Sequence, residues 1–243
     1  MPDMTDHTTP MRWVSPAYAA LLVLALVAFW PGYLSLPKSR FSGWFHLHAV
    51  AAMLWFFMLI AQPWAIHSGR RALHRLVGRA SYVLMPVLVI SFIGLAHDVM
   101  KGRTGAEAAV QAYFFYIRVV LVAIFVGCYV MAVVNRRNAP VHSRYMVCTG
   151  LALVDPVVHR LASRFMHGAD INYQLLTFGL VLAILAILIW MERNARAGRR
   201  VFPIVFIAFF IAGLPLALDF HTWGAPWALW KSVAAAFAAL PLP

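Results

Sequence analysis

The sequence predicts an all-α fold: a polytopic bundle of about seven transmembrane helices, with the N-terminus inside and the C-terminus outside. Three observations carry this expectation. Hydrophobic residues make up 63% of the 243-residue chain and charged residues only 12%. Its mean hydropathy is +0.78. Apolar runs of roughly 20 residues, the length that crosses a bilayer, recur between short basic or Gly/Pro-rich breaks. That composition excludes a soluble globular fold. Seven spans leave no room for a separate soluble unit, so residues 1–243 read as a single integral membrane domain.

The first run, at 14–35, follows Arg12 and shows no small-residue cleavage pattern after Trp30, so it reads as a span rather than a removed signal peptide. The second, at 43–66, begins with His46 and His48 and ends near Gln62-Pro63, which kinks or stops it. The third, at 78–98, is opened by His74-Arg75-Leu76-Val77-Gly78-Arg79 and closes on His97-Asp98. The fourth, at 112–134, carries Arg118, and the fifth, at 143–165, is opened by His142-Ser143-Arg144 and carries Asp155 and His159. The sixth, at 172–191, and the seventh, at 202–220, are apolar, and the seventh ends on Asp219 and His221. The remaining tail is too short to cross again and is expected along the interface, anchored by Trp223, Trp227 and Trp230.

Charge sets the orientation. With the N-terminus in the cytoplasm, that side holds twelve Lys and Arg residues: Arg12; Arg70, Arg71, Arg75 and Arg79; Arg136, Arg137 and Arg144; Arg193, Arg196, Arg199 and Arg200. The opposite side holds seven, namely Lys38, Arg40, Lys101, Arg103, Arg160, Arg164 and Lys231. The excess belongs on the cytoplasmic side, which places the protein as a multi-pass component of a bacterial inner membrane. The formal charge of +12 is thereby explained by topology and anionic headgroups, and no basic segment carries a nucleic-acid motif. Cys128 and Cys148 both lie inside apolar runs and read as small buried residues rather than a disulfide or zinc pair.

With orientation fixed, the histidines fall into two layers. On the outer side are His46, His48, His97 with Asp98, His159 and His221; on the inner side are His67, His74 and His142, while His7 and His167 read as tail and loop residues. Asp155 is about the thirteenth residue of its span and so lies near mid-bilayer. A charge at that depth needs a partner or a polar cavity, and Arg118 on the fourth span is the simplest one, giving a buried Arg118–Asp155 pair. His159 stands one turn from Asp155 on the same face. Together with His48 and His97 it forms a candidate nitrogen and oxygen ligand set for a transition metal, to which His46, Asp98 and His221 are possible additions. His46 and His48 point to opposite sides of a helix and can share a site only if the helix starts after them. On the inner side, His74 with Arg79 and His142 with Arg144 mark helix starts suited to an anion: a phospholipid headgroup, a haem propionate or a phosphate-bearing substrate.

Signatures of NTPases, helix-borne zinc proteases, serine hydrolases and thioredoxin-like proteins are absent. No C-x-x-C-H is present, so any haem is held non-covalently.

His46 with Gln62, His74-Arg-x-x-Gly78-Arg79, His142-x-Arg144-x-Met146, Asp155-Pro156 and Arg160 together resemble the motifs of a group of bacterial polytopic membrane proteins built on a domain of unknown function. The resemblance spans about residues 43–165. That group is in turn similar to cytochrome b561-like four-helix cores, in which histidines on neighbouring spans ligate haem b. The resemblance implies electron transfer across the membrane. His74 and His97 are 23 residues apart, about 34 Å along a helix, and therefore belong to separate sites.

Three functions stay open. One is a redox protein holding haem b or a transition metal ion, with the quinone pool or another redox protein as partner. Another is a metal-dependent hydrolase acting on lipid, with Asp155 or Asp98 as ligand or general base. The third is a transporter, assembly factor or structural protein in which Arg118 and Asp155 are an ion pair and nothing more.

Overall fold

The computed structural model describes residues 13–166 and 171–242; His7, Arg12 and His167 lie outside the described residues. Helix α1 (Val14–Phe29) runs into a wider π-helical turn, Trp30–Leu34, where Pro31 cannot donate to the preceding turn. Ser42 caps α2 (Gly43–His67) by accepting from the Phe45 amide at 3.2 Å. Helices α3 (Arg71–Met100) and α4 (Gly105–Val134) follow. Both start about two turns earlier than their apolar cores at 78 and 112; in α3 the long, exposed arginine side chains of the first turns extend to water while the backbone stays helical. Helix α7 is Tyr173–Met191, α8 is Val201–Ala217 and α9 is Ala225–Ala238.

The expected fifth span is not one helix. It is divided into α5 (Ala139–Leu151) and α6 (Val154–Phe165), with the interruption at Ala152 and Leu153. Pro156 explains it: its nitrogen cannot bond back to the Ala152 carbonyl, and its ring crowds that carbonyl. Asn138 caps α5, accepting from the Val141 amide, with Pro140 in the first turn.

Five segments are long and apolar enough to cross a membrane: Val14–Leu34, Gly43–His67, Arg71–Met100, Gly105–Val134 and Tyr173–Met191. No more than 33% of the most apolar stretch of any of them is buried inside the protein, so most of each faces outward. Outward-facing side chains such as Val83, Ile90, Val134, Ile187 and Ile211 are large and apolar. This is the surface of a multi-pass membrane protein.

Hairpins α2–α3, α4–α5 and α7–α8 make the closest helix pairs, α1 lies against α2 and α6, and α6 packs on α7. One core joins α4, α5, α7 and α8 around Phe178, Leu185, Phe202 and Phe209. A second joins α1, α2, α3 and α4 around Trp55, which stacks edge-on against Phe125 and Tyr129. Cys128 and Cys148 are buried, free thiols in the first core. Two glycines admit aromatic rings. Any Cβ at Gly94 would strike the Trp44 indole and one at Gly150 the Tyr18 ring, and the Tyr18 hydroxyl donates to the Val147 carbonyl at 2.5 Å. Gly127 and Gly179 have open space in that position and play no such part.

The tail does more than lie at an interface. Helix α9 packs on the ends of α3 and α4: Phe115 stacks on Trp230 and Phe237, and the Trp230 indole donates to the Ala112 carbonyl at 2.8 Å.

Candidate functional site

The N-termini of α3 and α5 and the C-termini of α2, α4 and α7 meet at one end of the bundle. The arginine clusters of residues 70–79, 136–144 and 193–200 all belong to this basic end. The α2–α3 turn passes through Gly69 at φ +72°, a left-handed conformation that favours glycine. The Arg70 amide then closes the turn on the Ala65 carbonyl at 2.8 Å. This brings Gln62, in the last turns of α2, beside the start of α3, where its Nε2 donates to the His74 carbonyl at 3.2 Å. On the α4–α5 hairpin, His142 Nδ1 donates to the Ala132 carbonyl at 2.8 Å, which leaves Nε2 as the nitrogen with a lone pair.

These two turns set the His74 and His142 rings 6.5 Å apart between centroids, nearly perpendicular at 84°. His74 Nδ1 and Gln62 Oε1 are both buried and have no hydrogen-bond partner among the described residues. Buried polar atoms are nearly always satisfied, so an orphan calls for an explanation such as an ion or a ligand. Two orphans beside a second imidazole make a nitrogen, nitrogen and oxygen donor set of the kind that suits copper, iron, nickel or zinc. Metal–imidazole bonds of about 2.0–2.1 Å, with a ring nitrogen ~1.1 Å from its centroid, give an upper span of about 6.4 Å between centroids, so at 6.5 Å the two rings must draw slightly together to share one ion.

Of the expected inner residues, Arg144 is committed elsewhere. It is buried, and its Nε pairs with Glu192 Oε2 at 2.5 Å while Nη1 donates to the Pro140 carbonyl at 2.7 Å. Gly198 is what permits this: at φ +77°, a Cβ there would stand 2.8 Å from the Arg144 guanidinium and 2.9 Å from the Pro140 carbonyl oxygen. Arg144 therefore ties α5 to the end of α7. Arg79 is exposed on α3, one helical turn beyond Arg75.

The expected outer cluster does not assemble. His46 uses both ring nitrogens, accepting from the Tyr33 hydroxyl at 2.8 Å and donating to the Lys38 carbonyl at 3.1 Å. His48 lies on the other side of α2, because the helix begins before both residues, and its Nδ1 contacts Ser91 Oγ at 3.3 Å. His97 is fully buried and donates through Nε2 to the Leu240 carbonyl at 2.9 Å, holding the tail. His159 sits edge-on between Phe114 and Tyr173, and His221 stands against Tyr113. Asp98 Oδ2 is buried without a partner. Among the described residues no group of three His, Cys, Asp or Glu side chains could hold a metal.

The expected Arg118–Asp155 pair is also absent. Arg118 donates through both terminal nitrogens to Gln111 Oε1 at 3.4 Å, two turns back along α4. Asp155, in the first turn of α6, faces α7 instead, where its Oδ1 accepts from Gln174 Nε2 and from Thr177 Oγ1. All three residues are buried. The ion pairs among the described residues are Arg103–Glu107, which is exposed, and Arg144–Glu192, which is buried. Gln174, Thr177 and Glu192 were not visible as partners in the sequence. The available hint was polar residues three apart, Gln174 and Thr177, opening an otherwise apolar run, and one acid ahead of four arginines.

No family model matches this chain, and it has no match among curated proteins or solved structures. Fold and site define a multi-pass helical membrane protein.

Proposed function

We propose that the protein is a membrane redox protein that holds a redox-active transition metal ion, bare or as haem iron, between His74 and His142 at the basic end of the bundle. One observation carries this reading: the two imidazoles stand 6.5 Å apart and nearly perpendicular, beside the orphaned polar atoms of His74 and Gln62. Arg75 and Arg79 flank the pair on α3 and supply positive charge for propionates or an anionic partner. A quinone of the bilayer is the partner class that fits a site at the end of a membrane bundle. In this reading the chain crosses seven times, with α8 and the interrupted α5–α6 pair added to the five long spans, and the basic end is cytoplasmic by charge.

A transporter is the second reading, and the α5–α6 interruption favours it. Broken helices bearing a buried carboxylate at membrane depth are used to build ion sites. The lipid-hydrolase reading needs the carboxylate of Asp155 or of Asp98: Thr177 and Gln174 engage Asp155 Oδ1, while Asp98 Oδ2 is buried without a partner.

An absorption spectrum of detergent-purified protein, as isolated and after dithionite, tests the proposal. The expected result is either a Soret band that shifts on reduction with a sharp α band, or a bound copper or iron ion seen by elemental analysis, lost in His74→Ala and His142→Ala. A featureless spectrum from metal-free protein would contradict it.

A further inference from the structure

The α7–α8 turn carries Arg193, Arg196, Arg199 and Arg200 within eight residues, all exposed, and none of the four has a carboxylate partner among the described residues. The nearest acid, Glu192, is already paired with Arg144. Two grooves run away from this cluster along either side of the start of α8. One, of about 370 Å³, lies between α7 and α8 with apolar walls of Ile189, Pro203, Ile204 and Ile207. The other, of about 560 Å³, lies between α8 and the α4–α5 hairpin, with Met131, Val141 and Tyr145 on its far wall. Arg199, Arg200 and Ile204 belong to both. No side chain caps the N-terminus of α8, so its first amides add to the positive field. Glu192 lines the first groove, and its Oε1 is buried without a hydrogen-bond partner.

Each feature specifies part of an occupant. Paired guanidiniums at a helix N-terminus suit a phosphodiester. Apolar walls leading away along exposed membrane helices suit acyl chains. An orphaned carboxylate oxygen beside the phosphate position calls for a donor on the headgroup. We propose that this turn is a binding site for an anionic phospholipid with a hydroxylated headgroup. Its phosphate sits between Arg199 and Arg200, a headgroup hydroxyl donates to Glu192 Oε1, and its chains lie in the grooves beside Ile204.

The site differs from a general excess of basic charge in that it depends on the grooves as well as the arginines. Delipidated protein in mild detergent is titrated with phosphatidylglycerol and, separately, with phosphatidylcholine of the same chain length, and bound lipid is counted by native mass spectrometry. Phosphatidylglycerol is expected to bind at least about 10-fold tighter, and Arg199→Gln with Arg200→Gln to remove that preference, on the scale of two basic residues at a lipid surface. Ile204→Trp, which fills both grooves and leaves every charge in place, is expected to weaken binding comparably, while Arg136→Gln with Arg137→Gln leaves it intact. Both sets of positions are exposed, and unchanged helical circular dichroism checks the fold of each variant. Equal binding of the two lipids, an equal loss in the Arg136/Arg137 variant, or full displacement by inorganic phosphate would overturn the proposal.

Discussion

The two polar clusters of this bundle are built on opposite principles. Around Asp155, Oδ1 accepts from Thr177 and Gln174, and Thr177 Oγ1 in turn accepts from Gln174 Nε2 at 3.1 Å; the cluster closes on itself and joins α6 to α7. Around His74, the ring Nδ1 and Gln62 Oε1 are left over after the helices have packed. A closed cluster stabilises a fold, here by pinning the first turn of α6 to α7 just after the break in the helix. The open one ties its helix ends together through Gln62 and His142 and still leaves two polar atoms for a ligand to satisfy in the proposed reading. Depth and residue type pointed to the Asp155 side as the functional one; unsatisfied buried atoms occur on both sides, at His97, Asp98 and His159 as well as at His74 and Gln62, and the His74 pair has a second imidazole beside it.

The largest effect separating structural from functional polarity is expected at the third buried polar contact, Arg144–Glu192. Removing one partner, as in Glu192→Ala, leaves a guanidinium uncompensated and should cost about 3–5 kcal/mol, whereas the double change Arg144→Met with Glu192→Leu should recover most of that. Thermal unfolding in detergent of the two single variants and the double checks both figures. Next comes Asp155→Ala, which strands Gln174 and Thr177 and should cost ~1–3 kcal/mol; the same measurement reads it. If the Asp155 cluster were instead an empty ion site, the alanine variant would keep its stability and lose ion binding.

Smaller effects distinguish the remaining residues. His97→Ala removes the hydrogen bond to Leu240 and the contact with Phe237, and should loosen α9 by about 1 kcal/mol, seen as faster proteolysis near the C-terminus with the rest of the bundle intact. Arg118→Gln should change stability by less than about 1 kcal/mol, since its contacts with Gln111 are long at 3.4 Å and hydrogen bonds within membranes contribute modestly. A loss as large as that of Asp155→Ala would restore the pairing of the two that the structure does not contain.

Much of the bundle was legible from apolar runs alone: the positions of α1, α2, α4, α7 and α8, and burial of both cysteines, follow from hydropathy. The co-location of His74 and His142 was legible too, because both open helices on the same side of an alternating topology. What could not be read was pairing. Arg118 and Asp155 have compatible depths, but depth leaves open which face of α4 meets which face of α6, and Gln174 stands 19 residues from its partner Asp155. The α5–α6 break was written in Asp155-Pro156, yet a proline in an apolar run kinks some helices and divides others. The Arg144–Glu192 pair depends on Gly198 adopting a positive φ in the α7–α8 turn, which nothing in the hydropathy pattern specifies.

The central claim is that His74 and His142 share one bound metal. The most direct measurement is the metal and haem content per protein of the purified wild type, His74→Ala, His142→Ala, and a His48→Ala with His159→Ala control. About one iron or copper per chain in the wild type and control, and none in either of the first two variants, is the expected result. Loss confined to the control, or equal content in all four, would contradict it.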